Sequence, residues 1–366
     1  MTNMKTVYLS NEDMIKNHNA RSKWLINNGY IKVKLHPNGK LRIYNYSKKT
    51  QYESLWEHQT MVCRGLITDL NDNIVARGFE KFFNYDSQIH SYMHEYDYTV
   101  YEKLDGSLGI LYFYEDVPYI ATRGSFDSSQ ALFATEILHT KYKHVIPNLD
   151  KRLSYLFEII QPENRIVIDY QDTRDIILIG IIETITGKDI HLDHPDYAFL
   201  KQDFNVVKKI NKKSIEALCK DDIKNKEGYV ILLENGTRIK IKFENYVLLH
   251  SLVDTLTNVK IWKMLGDNSY SSIIEDLTDD MRIWARNIAN ELICEFKKNK
   301  SELIKRFTSI LSSCITTDRK EIALKISKEP AKSVLFAMLN DKILDVDRFI
   351  WDMVKPSEEI KYEKRY

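Results

Sequence analysis

Net charge is nearly absent from this chain: 53 basic residues stand against 52 acidic ones over 366 residues, a formal +1. That balance argues against a protein that coats long nucleic acid by charge alone, because such affinity needs many phosphate contacts. No run of about 18 apolar residues occurs, so no membrane span is expected. Residues 1–20 are polar and lack the apolar stretch of a secretory signal. Paired cysteine motifs are missing too. Cys63, Cys219, Cys294 and Cys314 stand apart, with no histidine cluster beside them. Zinc-site and disulfide readings are weak, and reduced cysteines in a cytoplasmic protein are expected. Neither a GxxxxGK(S/T) phosphate loop nor a GxSxG elbow is found. Internal repeats and low-complexity tracts are also lacking. What remains is ordinary globular composition, 43% apolar and 29% charged, long enough for two domains.

Charge is uneven along the chain. Residues 1–49 hold ten Lys/Arg against two Asp/Glu, and residues 50–100 hold three against eight. The neutral total hides a basic N-terminal segment, which is either a solvated face or a local contact for an anionic partner.

The first 250 residues read mostly as strands. Leu41–Tyr46, Thr99–Lys103, Gly109–Tyr114, Leu153–Ile159, Arg165–Tyr170 and Asp175–Thr184 carry β-prone patterns. Gly228–Glu234 and Thr237–Phe243 flank Asn235-Gly236, a strong hairpin signal. A helix is predicted from Ser128 to His139, capped by Ser128, with Leu132, Phe133 and Ile137 as its apolar stripe. Another is expected near Ser214–Cys219. Beyond residue 250 the spacing turns helical over Ile273–Leu277, Met281–Lys297, Ser301–Ser312, Lys320–Ser327 and Ser333–Leu339. In the second of these, Ile283, Ala285, Ile288, Leu292 and Phe296 form the apolar series. The expected fold class is α+β: a β-rich domain with antiparallel sheets over residues 1–250, then an all-helical domain over residues 251–366.

Chemistry-bearing residues collect in the β-rich part. Lys103-Leu104-Asp105-Gly106 lies where a strand runs into a turn, which can project an amine into a cleft. Lys240 and Lys242 are two apart on a predicted strand, so both ammonium groups share a face. Glu227-Gly228 precedes them on the other hairpin arm. Glu158 is a lone acid in the apolar run Tyr155–Ile160, either outward-facing or buried for a purpose. Arg64-Gly65 and Lys81-Phe82-Phe83-Asn84 add cations and an aromatic pair. Each alone is weak, and solvated lysines beside a turn are the plain alternative.

Taken together and in order, these segments resemble the motifs of the covalent nucleotidyltransferase superfamily, most closely the phage-type RNA ligase 1 family, from about Leu41 to Tyr246. The match runs through Arg42–Tyr46, Cys63–Gly65, Lys81–Asn84 and Lys103–Gly106. It continues through Arg123-Gly124-Ser125, where the family commonly has Lys, then Phe157-Glu158 with Asn164–Val167, Glu227–Val230, Lys240–Lys242 and Tyr246-Val247. The resemblance implies an ATP-grasp-like ligase domain followed by a helical RNA-specificity domain. It further implies ATP as cofactor, with AMP carried covalently on Lys103, and a divalent metal, Mg²⁺ or Mn²⁺. The implied partner is an RNA with 5′-phosphate and 3′-hydroxyl ends, such as a cleaved tRNA anticodon loop. A monomer in the cytoplasm is expected, the host's if the chain is viral.

The implied site is Lys103 as nucleophile with Glu158, Glu227, Lys240 and Lys242 as its catalytic company. Tyr46, Arg64, Lys81, Phe83, Gly106, Arg123, Gly228, Val230 and Tyr246 would complete the ATP site. Glu158, Glu227 and, from the helical domain, Asp267 would serve the metal. A lysine attacks only as the neutral amine, and at an ordinary pKa near 10.4 that form costs roughly 4 kcal/mol at neutrality. Neighbouring cations and desolvation lower this cost. Lys240, Lys242 and a metal can do so while stabilising charge on the α-phosphate. Arg64 and Lys81 would grip the outer phosphates. Phe83 and Val230 either pack against ribose and adenine or belong to the core. The competing readings are another nucleotidyltransferase, a DNA ligase or a capping guanylyltransferase, and an RNA-binding homologue without activity. The cluster Lys297, Lys298, Lys300, Lys305 and Arg306 is either an RNA contact or a solvated helix face. The pairs His90/His94 and His191/His194 have metal-compatible spacing but lack the pattern of a metal site.

Overall fold

The computed structural model describes residues 20–87, 93, 95–211, 214–277, 279–314 and 318–363. The chain divides into two compact units, Met1–Val247 and Leu248–Tyr366. The break falls inside the helix Glu244–Thr255. Among the described residues no helix is long and apolar enough to cross a membrane. All four cysteines are free thiols.

The first unit is α+β and contains three sheets among its described residues. The small sheet has the order β1-β2-β3-β4, from Ile31–Leu35 (β1), Leu41–Tyr46 (β2), Arg64–Asp69 (β3) and Ile74–Ala76 (β4). Two five-stranded sheets carry the chemistry. One has the order β12-β6-β13-β14-β5, with Phe83–Asn84 (β5), Tyr98–Lys103 (β6), Lys209–Ile210 (β12), Gly228–Leu233 (β13) and Arg238–Lys242 (β14). The other has the order β11-β10-β9-β7-β8, with Ser107–Tyr114 (β7), Val117–Thr122 (β8), Leu153–Ile160 (β9), Asp175–Glu183 (β10) and Asp189–Ile190 (β11). Neighbours pair antiparallel, except that β5 runs parallel to β14.

Local chemistry explains these elements. The turn Asn235-Gly236 closes the β13–β14 hairpin, and Gly236 takes φ +85°, which its lack of a Cβ permits. In β14, Ile239 and Ile241 are buried while Arg238, Lys240 and Lys242 alternate to the other face. β9 is buried on both faces because it is a central strand covered on each side. Tyr155, Phe157 and Ile159 join one core cluster, and Leu156 joins another with Ile110, Tyr112 and Ala121. Full burial of a side chain such as Phe157 contributes about 2–3 kcal/mol.

The helix Ser129–Thr140 is capped by Ser128, whose Oγ accepts from Ala131 N at 3.2 Å, a contact of about 1 kcal/mol. Its buried face is Ala131, Ala134 and Leu138; Leu132, expected in the apolar stripe, is 60% exposed. Small alanines let this helix lie close to β8, and the bulkier Phe133 and Ile137 only flank the contact.

The expected strand at Arg165–Tyr170 is absent. Its apolar residues Val167 and Ile168 are buried, but their backbone N–H groups donate to the Asp105 carboxylate instead of to a neighbouring strand. A buried carboxylate took the donors a sheet would have used.

The second unit, among its described residues, has helices and a single isolated β-bridge. The expected break near residue 300 does not occur: Asp279–Ser312 is one helix. Its buried residues include Met281, Ala285, Ala289 and Leu292, whereas Ile283 is 59% exposed. Lys300 pairs with Asp347 and Arg306 with Glu329 within this unit.

Candidate active site

Strand register places the site. Gly228 pairs with Lys103 on one side and with Lys242 on the other. Directly opposed residues share a face, so the two lysines flank a position without a side chain. Gly228 has φ +146°, and a Cβ there would meet the backbone of Ile241. Glu227, one residue earlier, is 97% buried and bridges the two ammonium groups. Its Oε2 accepts from Lys103 Nζ at 2.8 Å, and its Oε1 lies 3.0 Å from Lys242 Nζ. Two residues along the same face stand Tyr101, Val230 and Lys240, then Thr99, Leu232 and Arg238.

Glu158 enters from the facing sheet. It is half-buried, and its Oε1 accepts from Gly106 N at 2.9 Å. Burial pushes its carboxyl up to about 7; the charge of Lys103 opposes that shift and the charge of Glu227 adds to it. Gly106 has no room for a side chain, since a Cβ would collide with Ile159 O and Ile160 Cδ1.

Lys240 is brought down to about 7, first by burial and then by repulsion from Lys81, Lys103, Lys242 and Arg64. Lys81 is lowered by burial, Arg64, Arg123 and Lys242. These mutual effects put Arg64, Lys81, Lys103, Arg123, Lys240 and Lys242 in one cationic field. Such a field attracts a polyanion and penalises every ammonium within it.

A cleft of about 480 Å³ opens between the sheets. Of the residues singled out in the sequence, Arg64, Lys103, Gly106, Arg123, Glu158 and Val230 line it. Its lining mixes the cations Arg64, Arg123 and Arg238 and the polar Asn45 and Gln130 with the apolar Phe79, Ile179 and Val207, and Arg238 lies over the Phe79 ring at 3.7 Å. Arg238 is also paired with Asp189. Sequence reading missed Asn45, Phe79, Phe82 and Arg238. The strand period that placed Lys240 and Lys242 on one face would also have found Arg238.

Other expected residues stand behind or beside the cleft. Phe82 lines it, whereas Phe83 is 38% exposed and packs edge-on to Trp56. Tyr46 is buried; its hydroxyl accepts from Arg123 Nη1 at 3.1 Å. Tyr246 is buried against Asp105 in the turn after Lys103, with Lys242 Nζ 4.8 Å over its ring. Asp105, which sequence reading left as a motif residue without a role, is the anchor of that turn. Its Oδ2 accepts from Val167 N and Ile168 N, and its Oδ1 accepts from Tyr246.

Asp267, in the second unit, accepts from both Ser269 N and Ser269 Oγ and so closes its own turn. His191 Nε2 meets Thr99 Oγ1, while His191 Nδ1 and His194 Nδ1 accept from loop amides. His90 and His94 lie outside the described residues. Among the described residues no group of three or more His, Cys, Asp or Glu side chains forms a metal cluster. The donor chemistry nevertheless suits a divalent cation at Glu158, which lines the cleft and has one carboxylate oxygen on Gly106 N. Glu227 has both oxygens on lysines.

An amine at a strand end, two acids and a crowd of cations thus stand together between two sheets. The RNA ligase family model matches residues 62–248, just over half of the chain, and the chain belongs to that family. It is 22% identical over 365 residues to the RNA ligase of Rhodothermus phage RM378, covering 80% of this chain and 79% of the phage protein. Among solved structures it is similar to the Naegleria gruberi RNA ligase with pyrophosphate, at 16% identity and a TM-score of 0.38. That match covers 46% of this chain, which spans 56% of the Naegleria chain.

Proposed function

We propose that the protein is an ATP-dependent RNA ligase joining a 3′-hydroxyl to a 5′-phosphate, and that Lys103 carries AMP between the substrates. The observation that carries this reading is the Lys103–Glu227–Lys242 bridge, with Lys103 and Glu158 lining a cleft that also carries Arg64 and Arg123. A nucleotide would set its phosphates against those cations and its base against apolar lining such as Phe79 and Ile179.

Lys103 Nζ attacks the α-phosphorus of ATP. An N–P bond forms, the bond to the bridging oxygen breaks, and pyrophosphate leaves. The amine proton passes to Glu227 Oε2, 2.8 Å away. Lys240 and Lys242 stabilise the charge that grows on the α-phosphate oxygens. Arg64 and Lys81 hold the outer phosphates. An RNA 5′-phosphate oxygen then attacks the same phosphorus and releases Lys103, giving an RNA capped by AMP. Finally the 3′-hydroxyl attacks the RNA phosphorus, its proton departs and AMP leaves. Mg²⁺ or Mn²⁺, held by Glu158 and Glu227, would neutralise phosphate charge when bound.

The helical unit Leu248–Tyr366 is proposed to select the RNA, with a cut tRNA anticodon loop as the substrate class. A monomer acting in the cytoplasm completes the proposal. The test is incubation with α-labelled ATP and Mg²⁺ followed by denaturing electrophoresis. Label should stay on the wild-type protein and vanish in Lys103→Ala. An unlabelled wild type would sink the proposal, preference for GTP would turn it to capping, and sealing of nicked DNA alone would turn it to a DNA ligase.

A further inference from the structure

Lys81 has no carboxylate partner among the described residues. Three aromatic rings surround its ammonium instead: Nζ is 5.0 Å from the centroid of Trp56, 5.2 Å from Phe83 and 5.8 Å from Tyr46. Trp56 joins the other two, packing edge-on to Tyr46 at 5.1 Å and 87° and to Phe83 at 5.6 Å and 77°. The segment after Trp56 also fixes the Lys81 backbone, since Lys81 N donates to Met61 O at 2.9 Å. Glu57 is itself held by Arg21 and by the capping box with Thr60, so Trp56 enters from an anchored loop.

We infer that Trp56 is a positioning residue: with Phe83 and Tyr46 it forms an aromatic box that aims the Lys81 ammonium at the outer phosphates of ATP. No motif resemblance singled out Trp56. The physical need is plain. Burial and the neighbouring cations Arg64, Arg123 and Lys242 all work against a charged Lys81. A carboxylate partner would relieve that, but it would also occupy the ammonium and repel phosphate. Ring faces attract the cation and leave its N–H donors free for a ligand.

The inference rests on the ligase reading for its nucleotide, so two readouts separate them. Affinity for ATP is measured by calorimetry in wild type, Trp56→Leu, Trp56→Phe, Lys81→Ala and the Trp56→Leu/Lys81→Ala double variant. Lysyl-AMP formation is followed in parallel. Leucine keeps apolar bulk without a π face, and phenylalanine keeps the face. Trp56→Leu should weaken ATP binding about three- to tenfold, and Trp56→Phe should recover most of it. Trp56→Leu should cost nothing further once Lys81 is alanine. Unchanged ATP affinity in Trp56→Leu overturns the inference. So does an equal loss in the Lys81→Ala background, or a Phe variant as weak as the Leu one. Melting temperatures guard against a folding effect, and the Phe variant keeps the test readable if Leu is not tolerated. Normal ATP binding without any lysyl-AMP in the wild type would sink the ligase reading while leaving the Trp56 cycle interpretable. No ATP binding would sink both.

Discussion

The Tyr246 hydroxyl donates a 2.7 Å hydrogen bond to Asp105 Oδ1 across 141 residues of sequence. It ties the helix that follows β14 to the turn that presents Lys103. The other Asp105 oxygen holds Val167 N and Ile168 N, and Asp105 N donates to Tyr170 Oη at 2.8 Å. The aspartate is 95% buried, so its charge depends on these donors. Tyr246→Phe should destabilise the protein by about 1–3 kcal/mol and slow lysyl-AMP formation. Denaturant midpoints and single-turnover labelling measure the two effects. A variant with wild-type stability and rate would mean that the hydroxyl is not needed to hold the turn.

Lys242 shares Glu227 with Lys103. In Lys242→Met the carboxylate keeps only Lys103 and grips its ammonium more firmly. The rate of lysyl-AMP formation at pH 7 should fall about tenfold or more. An unchanged rate would remove the shared carboxylate from the mechanism.

Glu158 titrates at about 7, above its ordinary 4.5, because of burial. The native state therefore binds more protons than the unfolded chain between about pH 4.5 and 7. Stability is lost as pH rises through that window. Glu158→Gln removes a buried charge while keeping an acceptor for Gly106 N. The variant should gain about 1–3 kcal/mol over wild type at pH 8, without ATP or metal, and nothing at pH 4.5. It should also lose ligation. Lys240, lowered to about 7, has the opposite slope. Its cost is full below pH 7 and fades as pH rises toward 10.5, so Lys240→Met should stabilise most in mild acid. Urea unfolding across pH tests both signs.

Gly228→Ala places a Cβ against the Ile241 backbone at φ +146°. The β13–β14 ladder must shift to accept it, which separates Lys103 from Lys242. Expected are a loss of at least several degrees in melting temperature and no detectable lysyl-AMP. Retained labelling would show that the strand register tolerates the shift.

Much of the β-rich core was legible because it obeys local rules. Alternation located β14 and the shared face of Lys240 and Lys242. Asn235-Gly236 located the hairpin, and Ser128 located a helix start. Local pattern failed where a distant group intervened. The apolar run 165–170 reads as a strand, but Asp105 claims its amides. Phe82 and Phe83 are indistinguishable in sequence; only the packing decides that Phe82 lines the cleft while Phe83, 38% exposed, lies edge-on to Trp56.

The sequence by itself determined the chemistry available: a lysine before a turn, two acids in apolar or glycine-linked strands, and cations spaced by two along a strand. Periodicity and turn propensity are local properties, so residue order carries them. Only the tertiary structure decided who touches whom. Glu227 bridges Lys103 and Lys242 because Gly228 pairs with both strands at once. Lys81 meets Trp56 through a loop that no motif marks. Lys240 and Glu158 are both brought to about 7 because burial and neighbouring charge, which long-range packing creates, act on them together.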